Sequence, residues 1–419
     1  MKNKTMYIPL GMMFLLYFFI AFTSGLNNPF AKVIQTQFTL STFESQFGNF
    51  AFFFAYLFMG IPASMVVNKV GHKKAALIAL AAMFVGVWIV FAGGNLGAIW
   101  LYLVGMFCLG CAITILQVVV NPLVTVLGSK EGANSRMNFA GAASSLGATF
   151  APIVVGFIIG NAALDKLSVS DVNPLLYTMM ALLAMVFIVL SFVSIPEVGI
   201  RQTAEDKPNY KALFTPNFIF GLIAIFLYVG LEVTTANITN LYMINDLKMD
   251  AGVAGAIVGT YWLLMLVGRL VGAAIGTKVQ SRPQLIIVSS AALILYLAAM
   301  FVPSSISVIM PAVDSHFHLL FAQVPANILL LVLVGFCNSV MWTCIFILAT
   351  EGLGKQTNLA SGVFMMMVFG GGIVPALQGK LVDTSGNFLS SYWVGVVCLV
   401  VILGYAVKAT PKSPKGDLG

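Results

Sequence analysis

Long apolar segments alternate with short polar ones along almost the whole chain. Each apolar segment has roughly the 20 residues that an α-helix needs to cross the hydrocarbon core of a bilayer. Twelve segments are predicted, numbered span 1 to span 12 in chain order: 8–29, 45–67, 75–93, 98–127, 136–160, 174–194, 217–243, 253–276, 284–303, 325–349, 357–380 and 391–408. The pattern predicts an all-α integral membrane protein with twelve transmembrane helices.

Composition and charge agree with this prediction. Of the 419 residues 60% are hydrophobic and only 8% are charged, whereas soluble domains have about 25% charged residues. Of the 21 Lys and Arg residues, 16 lie at the termini or in the loops that follow even-numbered spans, and 4 lie in loops after odd-numbered spans. Because positive loops stay cytoplasmic, both termini are predicted to be cytoplasmic. The net charge of +7 is therefore a topology signal and gives no reason to expect a nucleic-acid partner.

The chain divides into two similar halves. Its only long polar interruption, residues 196–216, is predicted to be a cytoplasmic linker between two six-helix bundles, residues 1–195 and 217–419. Short basic turns at 68–74 and 277–282 follow the second span of each half, and Gly71 is expected to supply a tight turn in the first. Matching turns indicate a duplicated six-helix unit, the construction of major facilitator transporters.

One carboxylate, Glu232, lies in the middle of a predicted span, whereas the other acidic residues lie in loops or near helix ends. A charge at that depth is costly, so it normally faces a cavity or a partner and marks a substrate or ion path. Arg269 lies inside span 8. We expect it to cap helix ends near the cytoplasmic face, and pairing with Glu232 is the alternative.

Polar side chains recur in every third span. They are Thr23, Ser24, Asn27 and Asn28 in span 1; Thr114, Gln117 and Asn121 in span 4; Tyr228, Glu232, Thr235 and Thr239 in span 7; and Asn338 and Trp342 in span 10. Spacings of three and four residues put such side chains on one helix face. The repetition favours one central polar cavity over the alternative, in which the same groups form hydrogen bonds between helices.

Cysteine and histidine residues give no sign of a redox, metal or catalytic site. All five cysteines lie inside predicted spans, so no disulfide is expected, and Cys108 and Cys111 are interpreted as packing residues. The histidines, His72, His316 and His318, lie in predicted loops, and no metalloprotease motif is present. We therefore expect neither an enzyme nor a cofactor.

Several motifs resemble those of one transporter family. They are Gly25–Asn28, Gln117–Gly128, Arg136–Phe139, Tyr228–Glu232, Asn338–Trp342 and Glu351–Lys355. In this order and spacing they resemble the fucose–proton symporter family of the major facilitator superfamily, in particular its glucose/galactose transporter branch. The resemblance implies a monomeric secondary active transporter of a hexose or a hexose derivative, working by alternating access in the cytoplasmic (inner) membrane.

The resemblance also implies a set of sugar-binding residues: Asn27, Asn28, Gln117, Asn121, Tyr228, Glu232, Asn338 and Trp342. Amide side chains suit this role because they donate to and accept from hydroxyl groups at once. The Trp342 ring would offer an apolar face to the C–H side of a sugar ring.

Four positions depart from the family pattern or differ within the family. Asn28 stands where the family usually has Asp, and Gln117 stands where the fucose transporter has an acid, although the glucose/galactose branch also has Gln there. Gly141 and Ser144 replace Gln and Asn in span 5. Glu232 is therefore expected to be the ion-coupling carboxylate, with H⁺ and Na⁺ both open as the coupled ion. The alternative is an uncoupled sugar facilitator in which Glu232 is only a sugar ligand.

Overall fold

The structure is a computed structural model that describes residues 4–26, 30, 33–34, 36–40, 44, 47–129, 131–159, 168–195, 213–249, 251–313, 319–353 and 356–409. Six long helices form the first half: α1 (Lys4–Gly25), α2 (Phe47–Val70), α3 (His72–Asn95), α4 (Ile99–Val126), α5 (Ala133–Ile159) and α6 (Asn173–Phe192). A short 3₁₀ turn, Val169–Val172, precedes α6.

The second half has more, and shorter, elements. They are α7 (Pro216–Leu241), α8 (Ala251–Ile275), α9 (Ser281–Phe301), β1 (Ser307–Val313), β2 (Leu319–Pro325), α10 (Ala326–Asn338), α11 (Met341–Thr350), α12 (Thr357–Met366), α13 (Gly370–Ser385), α14 (Phe388–Ser391) and α15 (Trp393–Lys408). A π-helical turn, Tyr242–Asp246, extends α7, and a 3₁₀ turn, Met367–Phe369, joins α12 to α13.

The predicted spans correspond to these helices. In the described part of the chain, eleven stretches are long and apolar enough to cross a membrane. The fifth span corresponds to α5, whose 27 residues also have sufficient length. Spans 10, 11 and 12 each consist of two helices in succession: α10 with α11, α12 with α13, and α14 with α15. The all-α membrane fold is confirmed.

The turn between α2 and α3 has the predicted glycine. Gly71 separates the two helices by a single residue, with φ 85° and ψ 164°, a conformation that other residues rarely adopt. The next residue, His72, was predicted to lie in the loop but is the first residue of α3 and is buried. Its ring nitrogen Nε2 lies 3.2 Å from Asn358 Oδ1, and Asn358 in turn donates to Asn68 Oδ1 at 2.9 Å. These contacts connect the turn between α2 and α3 to α12.

The segment between α9 and α10 contains a β-hairpin that the sequence pattern did not predict. β1 and β2 pair antiparallel, with Met310 opposite Ala322 and Val308 opposite Val324. Met310 and Val324 are buried in a core with residues of α7, α8 and α10, which anchors the hairpin to those helices. His316 and His318 lie in residues 314–318, outside the described residues.

The contacts divide the chain into two compact units. The first comprises Met1–Gly128, Leu146–Pro208 and Lys355–Met366, and the second comprises Ser129–Ser145, Asn209–Gly354 and Met367–Gly419. Helix α5 thus contributes to both units, whereas α12 belongs to the first unit and α13 to the second. Most of the predicted linker, residues 196–216, lies outside the described residues, and the predicted domain boundaries stay a prediction.

Glycine allows close helix packing inside each unit. A Cβ atom placed on Gly110 of α4 would collide with the carbonyl oxygen of Phe52 in α2, which belongs to the same unit. In the second unit, a Cβ atom on Gly370 of α13 would collide with the carbonyl oxygen of Phe226 in α7. Small residues at such positions let the helix backbones approach each other, as in many membrane proteins.

Candidate functional site

A carboxylate lies within the longest helix of the second unit. Helix α7 begins with Pro216 after Thr215, whose side chain accepts a hydrogen bond from the Phe218 amide at 3.2 Å. Glu232 follows more than four turns later, and its side chain is 16% exposed. The cap and the length of α7 therefore put this carboxylate far from both helix ends.

Arg269 of α8 is the charged partner of Glu232. Its Nη2 atom lies 3.5 Å from Glu232 Oε1, and the Arg269 side chain is 13% exposed. Nε also donates to the carbonyl of Ser339, directly after α10, at 3.3 Å, and Nη1 donates to the carbonyl of Gly141 in α5 at 2.9 Å. Ser339 lies at the break within span 10, so this contact does not test the expected capping near the cytoplasmic face, whereas the alternative, pairing with Glu232, is confirmed.

Tyr261 joins Glu232 to the broken helix of span 10. Its hydroxyl donates to the main-chain oxygen of Glu232 at 3.1 Å and accepts from Asn338 Nδ2 at 3.0 Å. Asn338 is fully buried, and its Oδ1 atom has no hydrogen-bond partner. One free acceptor on a buried amide is the kind of group that can bind a hydroxyl.

Two aromatic side chains complete this cluster. The rings of Tyr228 and Trp342 lie 6.4 Å apart between centroids, tilted by 60°. The Tyr228 hydroxyl is buried and faces the Glu232 carboxylate. The second unit thus brings together four predicted site residues: Tyr228, Glu232, Asn338 and Trp342.

Two other polar residues of α7 have a different role from the one expected. Thr235 hydrogen-bonds Tyr296 of α9, and Thr239 hydrogen-bonds the Tyr392 hydroxyl at 2.8 Å. All these groups are buried. The C-terminal part of the polar stripe on α7 therefore forms hydrogen bonds between helices. This was the alternative to lining a cavity.

The first unit holds the predicted residues of span 4. Asn121 is buried; its Oδ1 accepts a hydrogen bond from Tyr17 of α1, and its Nδ2 lies 3.7 Å from Met365 Sδ. Gln117, one turn earlier on α4, is half-buried and its Oε1 atom is buried without a partner. Thr114 instead donates to the Gly110 carbonyl of its own helix at 2.7 Å.

Other predictions fall outside the described residues or remain open. Asn27 and Asn28 lie outside the described part of the chain, so their predicted roles stay predictions. Ser144 is half-buried. The five cysteines are free thiols, and no group of three or more metal-ligating side chains occurs among the residues that the structure describes.

Sequence reasoning missed Tyr17 and Tyr261. Tyr17 stands in an aromatic run of span 1, where nothing marks its hydroxyl as a partner of Asn121. Tyr261 carried a usable signal, because it precedes Arg269 by eight residues and residues so spaced lie on the same side of a helix. A polar stripe on span 8 would have indicated both Tyr261 and Arg269 as candidate site residues.

The helices and the buried, charged polar cluster define a multi-pass membrane transporter. The chain belongs to the Major Facilitator Superfamily, whose sequence profile matches residues 13–376. It is similar to the glucose/galactose transporter of Brucella abortus biovar 1 (strain 9-941), with 30% identity over 94% of this chain and 92% of the relative. It is also similar to the L-fucose-proton symporter of Escherichia coli (strain K12), with 23% identity over 97% of this chain and 94% of the relative.

The fold agrees with these relatives. The crystal structure of the major facilitator transporter FucP in the outward conformation superposes with a TM-score of 0.83, covering 97% of this chain and 99% of that chain at 22% identity. The family that the sequence motifs indicated is therefore confirmed. The two relatives are named as a transporter and a symporter.

Proposed function

We propose that the protein is a secondary active transporter of a hexose or a hexose derivative, energised by a cation that binds at Glu232. We propose the sugar-binding roles that the resemblance implies, for Asn27, Asn28, Gln117 and Asn121 in the first unit and for Tyr228, Glu232, Asn338 and Trp342 in the second. Transport proceeds by alternating access, and the protein performs no chemical conversion of its substrate.

The observation that carries this proposal is the cluster around Glu232. A membrane-embedded carboxylate stands beside an aromatic pair, the buried Tyr228 hydroxyl and the buried Asn338 Oδ1 atom, which has no hydrogen-bond partner. A sugar offers hydroxyl groups for such atoms and an apolar C–H face for an indole ring. Hydrogen bonds to these atoms would favour a sugar over a purely apolar ligand, because buried polar groups left unpaired are costly.

The relatives support the sugar as the substrate. One is named a glucose/galactose transporter and another an L-fucose-proton symporter. Both are similar to this chain over more than nine-tenths of its length. Glucose, galactose and fucose are therefore the first sugars to test.

The coupled cation is H⁺ or Na⁺. Either would neutralise the Glu232 carboxylate, and with Asn28 in place of the acid that the resemblance implies, Glu232 is the carboxylate best placed to bind it. We further propose that the protein works as a monomer in the cytoplasmic membrane with both termini inside, as the distribution of Lys and Arg predicts.

A specific contact favours a second candidate function, uncoupled facilitation. Glu232 already has a counter-ion in Arg269, so its charge is compensated without a bound cation. In that case Glu232 would act only as a sugar ligand, and the protein would equilibrate sugar without concentrating it.

Counterflow in proteoliposomes separates these functions. Purified protein is reconstituted and loaded with D-glucose, D-galactose or L-fucose, and uptake of labelled sugar is followed with and without imposed proton and sodium gradients. Exchange together with gradient-driven accumulation supports the symporter. Exchange without accumulation under either gradient supports the facilitator, and no exchange with any hexose contradicts both.

A further inference from the structure

One arginine side chain connects three helical segments of the second unit. Arg269 Nη2 lies 3.5 Å from Glu232 Oε1 in α7. Its Nη1 atom donates to the Gly141 carbonyl at 2.9 Å and to Ser145 Oγ at 2.6 Å, both in α5. Its Nε atom donates to the Ser339 carbonyl, directly after α10, at 3.3 Å. A guanidinium is suited to this task because its donors point in several fixed directions.

Gly141 leaves the space that the guanidinium needs. A Cβ atom at this position would lie 3.2 Å from Arg269 Cδ and 3.5 Å from Arg269 Nε. The backbone of Gly141 has ordinary helical geometry, so the glycine is not required for a turn. A side chain longer than a methyl group at position 141 would therefore displace Arg269 from α5.

The contacts of Arg269 differ in how they depend on charge. The contact with Glu232 is an ion pair, whereas the acceptors in α5 and after α10 are neutral oxygen atoms. Tyr228 and Tyr261 also face Glu232, and both carry phenol groups, which ordinarily stay protonated at physiological pH. A cation bound at Glu232 would thus remove the attraction between α7 and Arg269 and leave the other contacts in place.

We propose that Arg269 is a positioning residue for ion coupling, the resident counter-ion that the coupled cation must replace at Glu232. Because Gly141 lets Arg269 reach α5, the charge state of Glu232 controls whether α7 and α5 are held together. The cation-free carrier has this link, and the cation-loaded carrier has lost it. This inference rests on the proposed function, since it specifies how the same carboxylate responds to its cation.

The first test is the cation dependence of sugar exchange in proteoliposomes. A positive charge within roughly 4–6 Å of a carboxylate lowers its affinity for a proton by about 10–1000-fold. Arg269→Gln should therefore lower the half-maximal cation concentration by at least about tenfold and abolish accumulation, because the cation is no longer expelled. Arg269→Lys keeps the positive charge and should keep a cation dependence close to that of wild type, although a lysine cannot make all the contacts of the guanidinium. A slower Arg269→Gln variant with unchanged cation dependence would show a merely structural role and overturn the proposal.

The second test concerns the space at position 141. Gly141→Leu should shift the cation dependence in the same direction as Arg269→Gln, by a smaller factor, because it pushes the guanidinium away. Gly255→Leu is the matched control, since no atom lies within 4 Å of a Cβ there. A Gly141→Leu variant that behaves like Gly255→Leu would refute the role of Gly141.

The third test needs no substrate and separates this inference from the proposed function. Thermal unfolding of detergent-purified protein is measured for wild type, Glu232→Gln, Arg269→Gln and the double variant, which also shows whether each variant folds. Arg269→Gln should lower Tm in the wild type and change it much less in the Glu232→Gln background. Equal losses in both backgrounds would overturn the inference. If the two substitutions are coupled in Tm but the protein transports no hexose, the proposed function is rejected. The assignment of Arg269 as the counter-ion of Glu232 then still holds.

Discussion

Two asparagines of α10 offer a sharp test of the sugar site. Asn338 and Asn327 are both fully buried, and each donates through Nδ2 to a tyrosine hydroxyl, Tyr261 at 3.0 Å and Tyr242 at 3.1 Å. In each of them the Oδ1 atom has no partner. They differ in surroundings, because Tyr261 also bonds the Glu232 backbone. Only Asn338 is therefore predicted to bind the sugar.

The expected size of the effect follows from these contacts. Asn338→Ala removes one hydrogen bond to Tyr261, and this loss lowers the free energy of unfolding by about 0.5–1.5 kcal/mol. The small cavity that the substitution leaves lowers it further. The substitution also removes the free acceptor, and losing a hydrogen bond in a buried sugar site costs about 1–3 kcal/mol of binding free energy. Sugar affinity should therefore fall roughly 5–150-fold.

Asn327→Ala serves as the control, because it removes a similar bond from the same helix. Its unfolding free energy should fall by a similar or larger amount, because Asn327 Nδ2 also donates to Ser304 Oγ at 3.4 Å, while sugar affinity stays unchanged. Affinity is measured as the half-saturating galactose or glucose concentration in counterflow, and stability as Tm in detergent. Equal loss of affinity in both variants would show that the effect is general destabilisation. Unchanged affinity of Asn338→Ala would remove this residue from the sugar site.

Three further outcomes are expected. Glu232→Gln should abolish accumulation of sugar and keep some exchange. In the wild type, one cation moving down 100 mV supplies about 2.3 kcal/mol, which corresponds to roughly 50-fold accumulation. A Glu232→Gln variant that still concentrates sugar would place the coupling site elsewhere. Trp342→Ala should weaken sugar affinity by about 5–150-fold and Trp342→Phe by less, because Phe keeps an apolar ring; equal losses in counterflow would argue against ring stacking. Gly370→Ala should lower Tm, because its methyl group meets the Phe226 carbonyl, whereas Gly379→Ala, with open space around it, should not.

The sequence was most informative where a rule needs only the order of residues. Hydropathy along the chain predicted the helices, because a bilayer requires about 20 apolar residues whatever surrounds them. The same rule made Glu232 stand out, because a charge at that depth is costly in any fold. The β-hairpin was missed because its strands, Ser307–Val313 and Leu319–Pro325, have only seven residues each, and so short a run does not by itself reveal a strand.

What the sequence by itself determined is which residues cross the membrane, which side of spans 4 and 7 is polar, and which charges lie inside. Tertiary structure decided which partner each polar group has. Thr235 and Glu232 belong to one stripe of α7, yet Thr235 bonds Tyr296 whereas Glu232 pairs with Arg269. Helical periodicity sets the direction of a side chain only relative to its own helix. Which side chain meets it depends on how distant helices pack, and here on the space that Gly141 leaves for Arg269.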